Sequence, residues 1–131
     1  MQFNRLLPEL SVTNINKTKA FYIDLLGFKL DYEREENKFI FLSFEGSQFM
    51  FEQIHTDGWN TAELVYPLGR GINFSIETDN IDKIYQKLLD AEYPLFRPMM
   101  TSQYRMNDVW LEQKQFLVQD PDGYLLRFNQ E

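Results

Sequence analysis

The chain has no cysteine and one histidine, His55, among its 131 residues. Disulfides and cysteine-based metal sites are therefore excluded, and the cytoplasm is the expected compartment. Nothing around His55 completes a nucleophile–base triad, and no Gly-rich phosphate loop is present. His55 is read as a solvated loop residue, with metal ligation or general-base work as the alternative. No run of about 18 apolar residues occurs, so no transmembrane helix is expected. The opening MQFNRLLPELSV lacks a basic segment followed by a long apolar one, so no signal peptide is expected either. Positive charge is also short, with 13 Lys and Arg against 20 Asp and Glu, a net charge of −7. That balance argues against nucleic acid or an anionic membrane as partner and favours cationic ligands. It also serves plain solubility.

What is present suits a packed interior. Hydrophobic residues make up 44% and aromatic residues 16% of the chain, enough to rule out a disordered composition. The length fits one domain spanning residues 1–131, or two small halves sharing a core. The most informative stretch is residues 115–130, QFLVQDPDGYLLRFNQ. Pro121 presets φ in a turn and Gly123 supplies φ > 0, so the flanking apolar runs read as a hairpin. After the turn Tyr124, Leu126 and Phe128 share one face, and Leu125, Arg127 and Asn129 share the other.

The rest of the chain repeats a pattern. Residues 5–12 read as a strand, at an edge because Pro8 cannot donate to a ladder. Residues 13–16 offer N-cap candidates, residues 16–26 have helical spacing, and Gly27 reads as the stop. Residues 28–34 form a strand, residues 35–38 a polar turn, and residues 39–44 and 48–53 a hairpin across Glu45-Gly46-Ser47. Residues 55–70 read as a linker. The pattern then restarts with a strand at 71–78, its Ile72, Phe74 and Ile76 inward, and a helix capped by Asp79 or Asn80. Residues 95–100 are strand-like but interrupted by Pro98, and 101–114 read as an irregular loop before the final hairpin. The expectation is α+β: two tandem βαβββ modules, about 5–54 and 71–130, forming curved mixed sheets around a cleft.

The strand alternations suggest what lines that cleft. Leu7, Glu9 and Ser11, then Gln48, Met50 and Glu52, then Gly71, Asn73, Ser75 and Glu77, then Leu125, Arg127 and Asn129 fall on faces too polar for a core. Apolar surface carrying a few polar groups is what a ligand site requires; a solvated outer face is the alternative. Glu9, Glu52 and Glu77 would make the cleft acidic, with Arg127 as the internal counter-charge paired to Glu52 or Glu9. Trp59, Tyr66, Tyr104 and Trp110 could stack on a planar or cationic ligand, or simply pack in their loops.

PELSVTNINKTKAFYIDLLGFKL, GINFSIETDNIDKIYQKLL and QFLVQDPDGYLLRF together resemble the vicinal oxygen chelate superfamily over nearly the whole chain. The last segment resembles its bleomycin-resistance branch, in the glyoxalase/bleomycin resistance/dioxygenase group. Metal-dependent members place a His or Glu ligand on the first and last strand of each module. The resemblance puts those positions at Leu7, Glu52, Gly71 and Arg127, of which only Glu52 could bind a metal. It therefore implies a non-enzymatic homodimer, without cofactor or metal, that sequesters a bleomycin-type antibiotic in clefts between subunits. Glu9, Gln48, Met50, Glu52, Trp59, Asn73, Ser75, Tyr104, Trp110 and Arg127 are the candidate ligand-binding residues. The rivals are a metal-dependent lyase, thiol transferase or dioxygenase of the same fold, and an interaction module whose cleft is filled by its own side chains.

Overall fold

A computed structural model describes residues 1–131. The chain divides into two compact units, Met1–Leu68 and Gly69–Glu131. Each is a four-stranded mixed sheet, and each follows the βαβββ order expected of an α+β duplication.

In the first unit β1 (Glu9–Val12) leads into α1 (Ile15–Lys19), which continues as a π-helical stretch (Ala20–Leu25). β2 (Lys29–Arg34), β3 (Phe39–Phe44) and β4 (Ser47–Gln53) complete the sheet in the order β1-β4-β3-β2. β1 runs parallel to β4, and the other pairs are antiparallel. The Asn14 side chain caps α1 by accepting from the backbone N–H groups of Asn16 and Lys17. Gly27, at φ 87°, ends the helix, with Phe28 N–H donating to Tyr22 O at 2.8 Å. The inward face of the sheet, Leu10, Val12, Ile40, Leu42, Phe49 and Phe51, packs with Phe21, Tyr22, Leu26 and Phe28 into a buried core. Tyr22 sits 4.6 Å from Phe51 and 5.2 Å from Phe28, centroid to centroid.

The second unit contains β5 (Asn73–Glu77), α2 (Ile81–Asp90), β6 (Arg97–Met106), β7 (Val109–Gln119) and β8 (Leu125–Gln130). Its order is β5-β8-β7-β6, with β5 parallel to β8. Asn80 caps α2 through Lys83 N–H. Ile81, Ile84 and Leu88 are buried, as are Ile76, Phe116, Val118, Leu126 and Phe128 of the sheet. The final turn is organised by Asp120. Its Oδ1 accepts from the N–H groups of Asp122 and Tyr124, each at 2.9 Å, and its backbone oxygen accepts from Gly123 N–H. Tyr124 is held against Gly69, where an added Cβ would lie 2.3 Å from the ring.

Several expectations need correction. The first strand is shorter than residues 5–12, because ladder pairing begins only at Glu9; Pro8 contributes its carbonyl, accepting from Met50 N–H at 2.9 Å. The helix expected over 16–26 widens into a π-helix in its second half, and the adjacent rings of Phe21 and Tyr22 are both buried there. The β3–β4 turn uses only Glu45 and Gly46, both at positive φ, as a two-residue hairpin turn requires, so Ser47 belongs to β4. Ile72 is half exposed rather than inward, because Gly71 at φ 89° and a turn bond from Ile72 N–H to Gly69 O precede the strand. Residues 101–114 are no loop: β6 and β7 pair continuously from Thr101↔Lys114 to Met106↔Val109. β1 and β5 are edge strands, and only β4 and β8 of the four site-bearing strands lie inside their sheets.

Replacing Asp120 by Ala removes the buried side-chain oxygen that accepts two backbone N–H groups in the final turn. The variant should lose about 1–3 kcal/mol of stability in urea unfolding, whereas Asp120→Asn should retain part of it through its amide oxygen.

Candidate functional site

β-strand alternation places two polar faces on the sheets, one per unit. In the first unit β1 and β4 align Glu9 with Met50 and Ser11 with Glu52. β3 and β4 align Phe39 with Glu52, Phe41 with Met50 and Ser43 with Gln48. β2 adds Tyr32 beside Phe41 and Arg34 beside Phe39. Glu9, Gln48, Met50 and Glu52 therefore do share a face, joined by an aromatic set that alternation left unmarked. The rings of Tyr32 and Phe41 stack at 5.1 Å, the edge of Phe3 meets Phe41 at 5.4 Å, and the Arg34 guanidinium lies 3.9 Å over Phe39. Every residue of FIFLSF except Ser43 is apolar, so its pattern gave no sign of which ring belonged to which face.

Glu52 is the hub of this face. Its Oε1 lies 2.7 Å from His55 Nε2. Asp57 N–H donates to His55 Nδ1 at 3.2 Å, so the neutral ring carries its proton on Nε2 and gives it to Glu52. Glu9 lies near enough to Glu52 to be affected by its charge: burial, then Glu52, raise the Glu9 carboxyl above its usual range, while Arg34 pulls it back. Glu9, Arg34, Glu52, His55, Gly58 and Trp59 line a surface pocket of about 280 Å³. Trp59 is 95% exposed at its rim. Gln48 is engaged by the N-terminal segment: its Oε1 accepts from Asn4 N–H at 2.7 Å and its Nε2 donates to Gln2 O at 2.9 Å.

In the second unit β5 and β8 align Asn73 with Leu125 and Ser75 with Arg127, and β7 sets Leu117 opposite Arg127 and Gln115 opposite Asn129. Asn129 Nδ2 donates to Ser75 Oγ at 2.8 Å. Gln115 Nε2 donates to Ser102 Oγ and to the Tyr104 hydroxyl. The Tyr104 phenol is pulled below its ordinary pKa, first by Gln115 and then, against burial, by Ser102 and Arg127. Asn73, Ser75, Tyr104 and Arg127 thus meet on one face, together with Ser102, Gln115 and Asn129. Gln115 was legible in the alternation Gln115, Leu117, Gln119; Ser102 was hidden, and the candidate Tyr104 misplaced, by reading residues 101–114 as a loop. Trp110 differs: its position on β7 is out of phase with Gln115, and it projects with the β6–β7 hairpin beyond the β8 ladder.

The expected partners of Arg127, Glu52 and Glu9, belong to the first unit, and within its own unit Arg127 forms no ion pair. The chain's ion pairs join Lys19 to Glu33, Lys29 to Asp31, His55 to Glu52 and Lys114 to Asp82. Arg127 Nε is buried without a partner. Nor do the four positions that the superfamily uses for metal fit one. Leu7 and Gly71 bring no donor atom, Arg127 is a permanent cation, and Glu52 already bonds His55. A catalytic metal takes about three protein ligands.

The Glu9 shift has a defined sign. A carboxyl whose folded pKa is raised binds its proton more tightly when folded. Its contribution to stability is therefore full below the unfolded pKa and is lost as pH rises through the folded value. Glu9→Gln should unfold at a higher temperature than the parent at pH 7, and the difference should shrink as pH falls toward about 4.

The family model described as Glyoxalase/Bleomycin resistance protein/Dioxygenase superfamily matches residues 2–128. Bleomycin resistance proteins from Geobacillus stearothermophilus and Staphylococcus aureus are each 28% identical over 133 residues, covering 95% of this chain and 95% of theirs. A glyoxalase/bleomycin resistance protein/dioxygenase from Alicyclobacillus acidocaldarius aligns at a TM-score of 0.67 and 22% identity, covering 97% of this chain and 90% of that one. TioX from Micromonospora sp. ML1 aligns at a TM-score of 0.73 and 15% identity, covering 98% of each chain. The two structures share the fold. With paired βαβββ units and a family model that runs almost from end to end, the chain belongs to the glyoxalase/bleomycin resistance protein/dioxygenase superfamily.

Proposed function

We propose that the chain binds and sequesters a bleomycin-type antibiotic without altering it, as a homodimer with clefts between subunits. The observation that carries this reading is the open face of the first unit. Glu9 and Glu52 supply negative charge in a surface pocket with Trp59 exposed at its rim, while the rings of Phe39 and Phe41 are buried beneath the face. A cationic ligand with planar groups finds there an electrostatic partner and, in Trp59, a stacking surface. Two of the relatives above bear the name bleomycin resistance protein, which directs the choice of ligand. The four positions at which metal-dependent members hold their ion support binding over catalysis, because three of them here offer no ligating atom.

A second reading, a metal-dependent enzyme, has in its favour only that Glu52 and His55 lie side by side; no group of three His, Asp or Glu side chains is placed to hold a metal ion. On that reading zinc, nickel or manganese should raise the unfolding temperature, and His55→Ala should abolish the effect.

Metal-free bleomycin titrated into the protein should give a saturable change in Trp fluorescence below about 100 μM. Trp59→Phe should remove most of the change and Trp110→Phe should leave it. No saturable response, or one carried wholly by Trp110, contradicts the reading.

A further inference from the structure

We infer that the open face of the second unit is a carboxylate-binding site anchored by Arg127, so that its ligand carries a monoanionic group on an apolar body. The inference rests on the reading above only in taking the open sheet faces as ligand surfaces; it concerns a different face and a ligand group of opposite charge.

The first observation is an uncompensated cation. Arg127 is half-buried on an interior strand, its Nε is enclosed and unbonded, and no carboxylate of its own unit lies within 4.0 Å of it. Desolvating a guanidinium costs free energy that a partner charge normally offsets. Guanidinium also matches the planar two-oxygen geometry of a carboxylate. The second observation is independent. Gln115 Oε1 is buried with no partner on the same face, while its Nε2 is bonded to the hydroxyls of Ser102 and Tyr104. Both partners are hydroxyls, which donate as readily as they accept. The amide can therefore turn over without losing a bond and offer N–H to an incoming oxygen. In the unturned orientation, where Gln115 Nε2 donates to it, the Tyr104 hydroxyl instead keeps its own proton to give to the ligand.

The surroundings narrow the ligand class. Leu117 stands opposite Arg127 on β7, and Leu125 precedes it on the same face of β8. Lys114 is bonded to Asp82; Arg97, opposite Leu117 on β6, turns its guanidinium over the Phe96 ring and donates to the Phe96 carbonyl. A single available guanidinium beside two leucines and among neutral hydroxyl and amide groups suits a carboxylate on an apolar group better than a phosphate dianion, which usually gathers several cations or backbone N–H groups.

The test is NMR of the full chain, labelled with nitrogen-15, titrated at constant ionic strength with sodium benzoate, neutral benzamide or inorganic phosphate. Benzoate should saturate the shift of the Arg127 side-chain Nε–H and of the backbone amides of Ser75, Gln115, Leu117 and Leu125. Benzamide and phosphate should bind at least about tenfold more weakly. Arg127→Met should fold, since no internal ion pair is lost, and should lose the benzoate response. Arg127→Lys should keep part of it, and gives the same comparison if the Met variant fails to fold. Equal response to benzamide, preference for phosphate, or no saturation with benzoate overturns the inference. Benzoate binding without bleomycin binding removes the drug assignment alone; bleomycin binding without benzoate binding removes the Arg127 anchor alone.

Discussion

The Asp120 carboxylate, by accepting two backbone N–H groups inside the last turn, sets the register of β7 against β8. In a strand that buries one face, a slip of one residue exchanges every inward and outward side chain. With the turn fixed, Leu126 and Phe128 enter the core, and Arg127 is held on the opposite face between Ser75 and Leu117. The character of the second unit follows from that placement. A slipped register would put a guanidinium into the core and two apolar side chains on the open face.

The first unit repeats the same construction with different chemistry. Ser11 faces Glu52 across β1 and β4, as Ser75 faces Arg127 across β5 and β8. Asn14 and Asn80 cap the two helices at corresponding places. Corresponding interior-strand positions thus carry a carboxylate in one unit and a guanidinium in the other. The carboxylate is bonded to a histidine and crowded by Glu9; the guanidinium has no counter-ion within its own unit. The two units thus share core placement and helix caps but differ in the charge on their open faces.

Much of this was legible in the sequence, for physical reasons. The period-two alternation of TYR-LEU-LEU-ARG-PHE and the Asp-Pro-Asp-Gly turn marked both the last hairpin and the face of Arg127. Asn before each helix and Gly27 after the first marked the ends. The aromatic floor of the first unit was not legible, because the nearly continuous apolar run of β3 gives no contrast between its two faces. Tyr104 was recognised by type but misplaced by element, since the polar, Gly-free segment 101–114 reads as loop although it pairs as a hairpin. That Arg127 would find no ion pair within its own unit was not legible, because ion pairing depends on a few ångströms that spacing alone does not supply.

The central claim is that these faces hold a ligand by charge, stacking and shape rather than by a catalytic metal. Native mass spectrometry of the purified protein, before and after adding metal-free bleomycin, tests it most directly. The account predicts a dimer without stoichiometric divalent metal that gains the mass of intact bleomycin, unchanged on release. One zinc, nickel, manganese or iron ion per chain, lost in a Glu52→Gln variant, would contradict it.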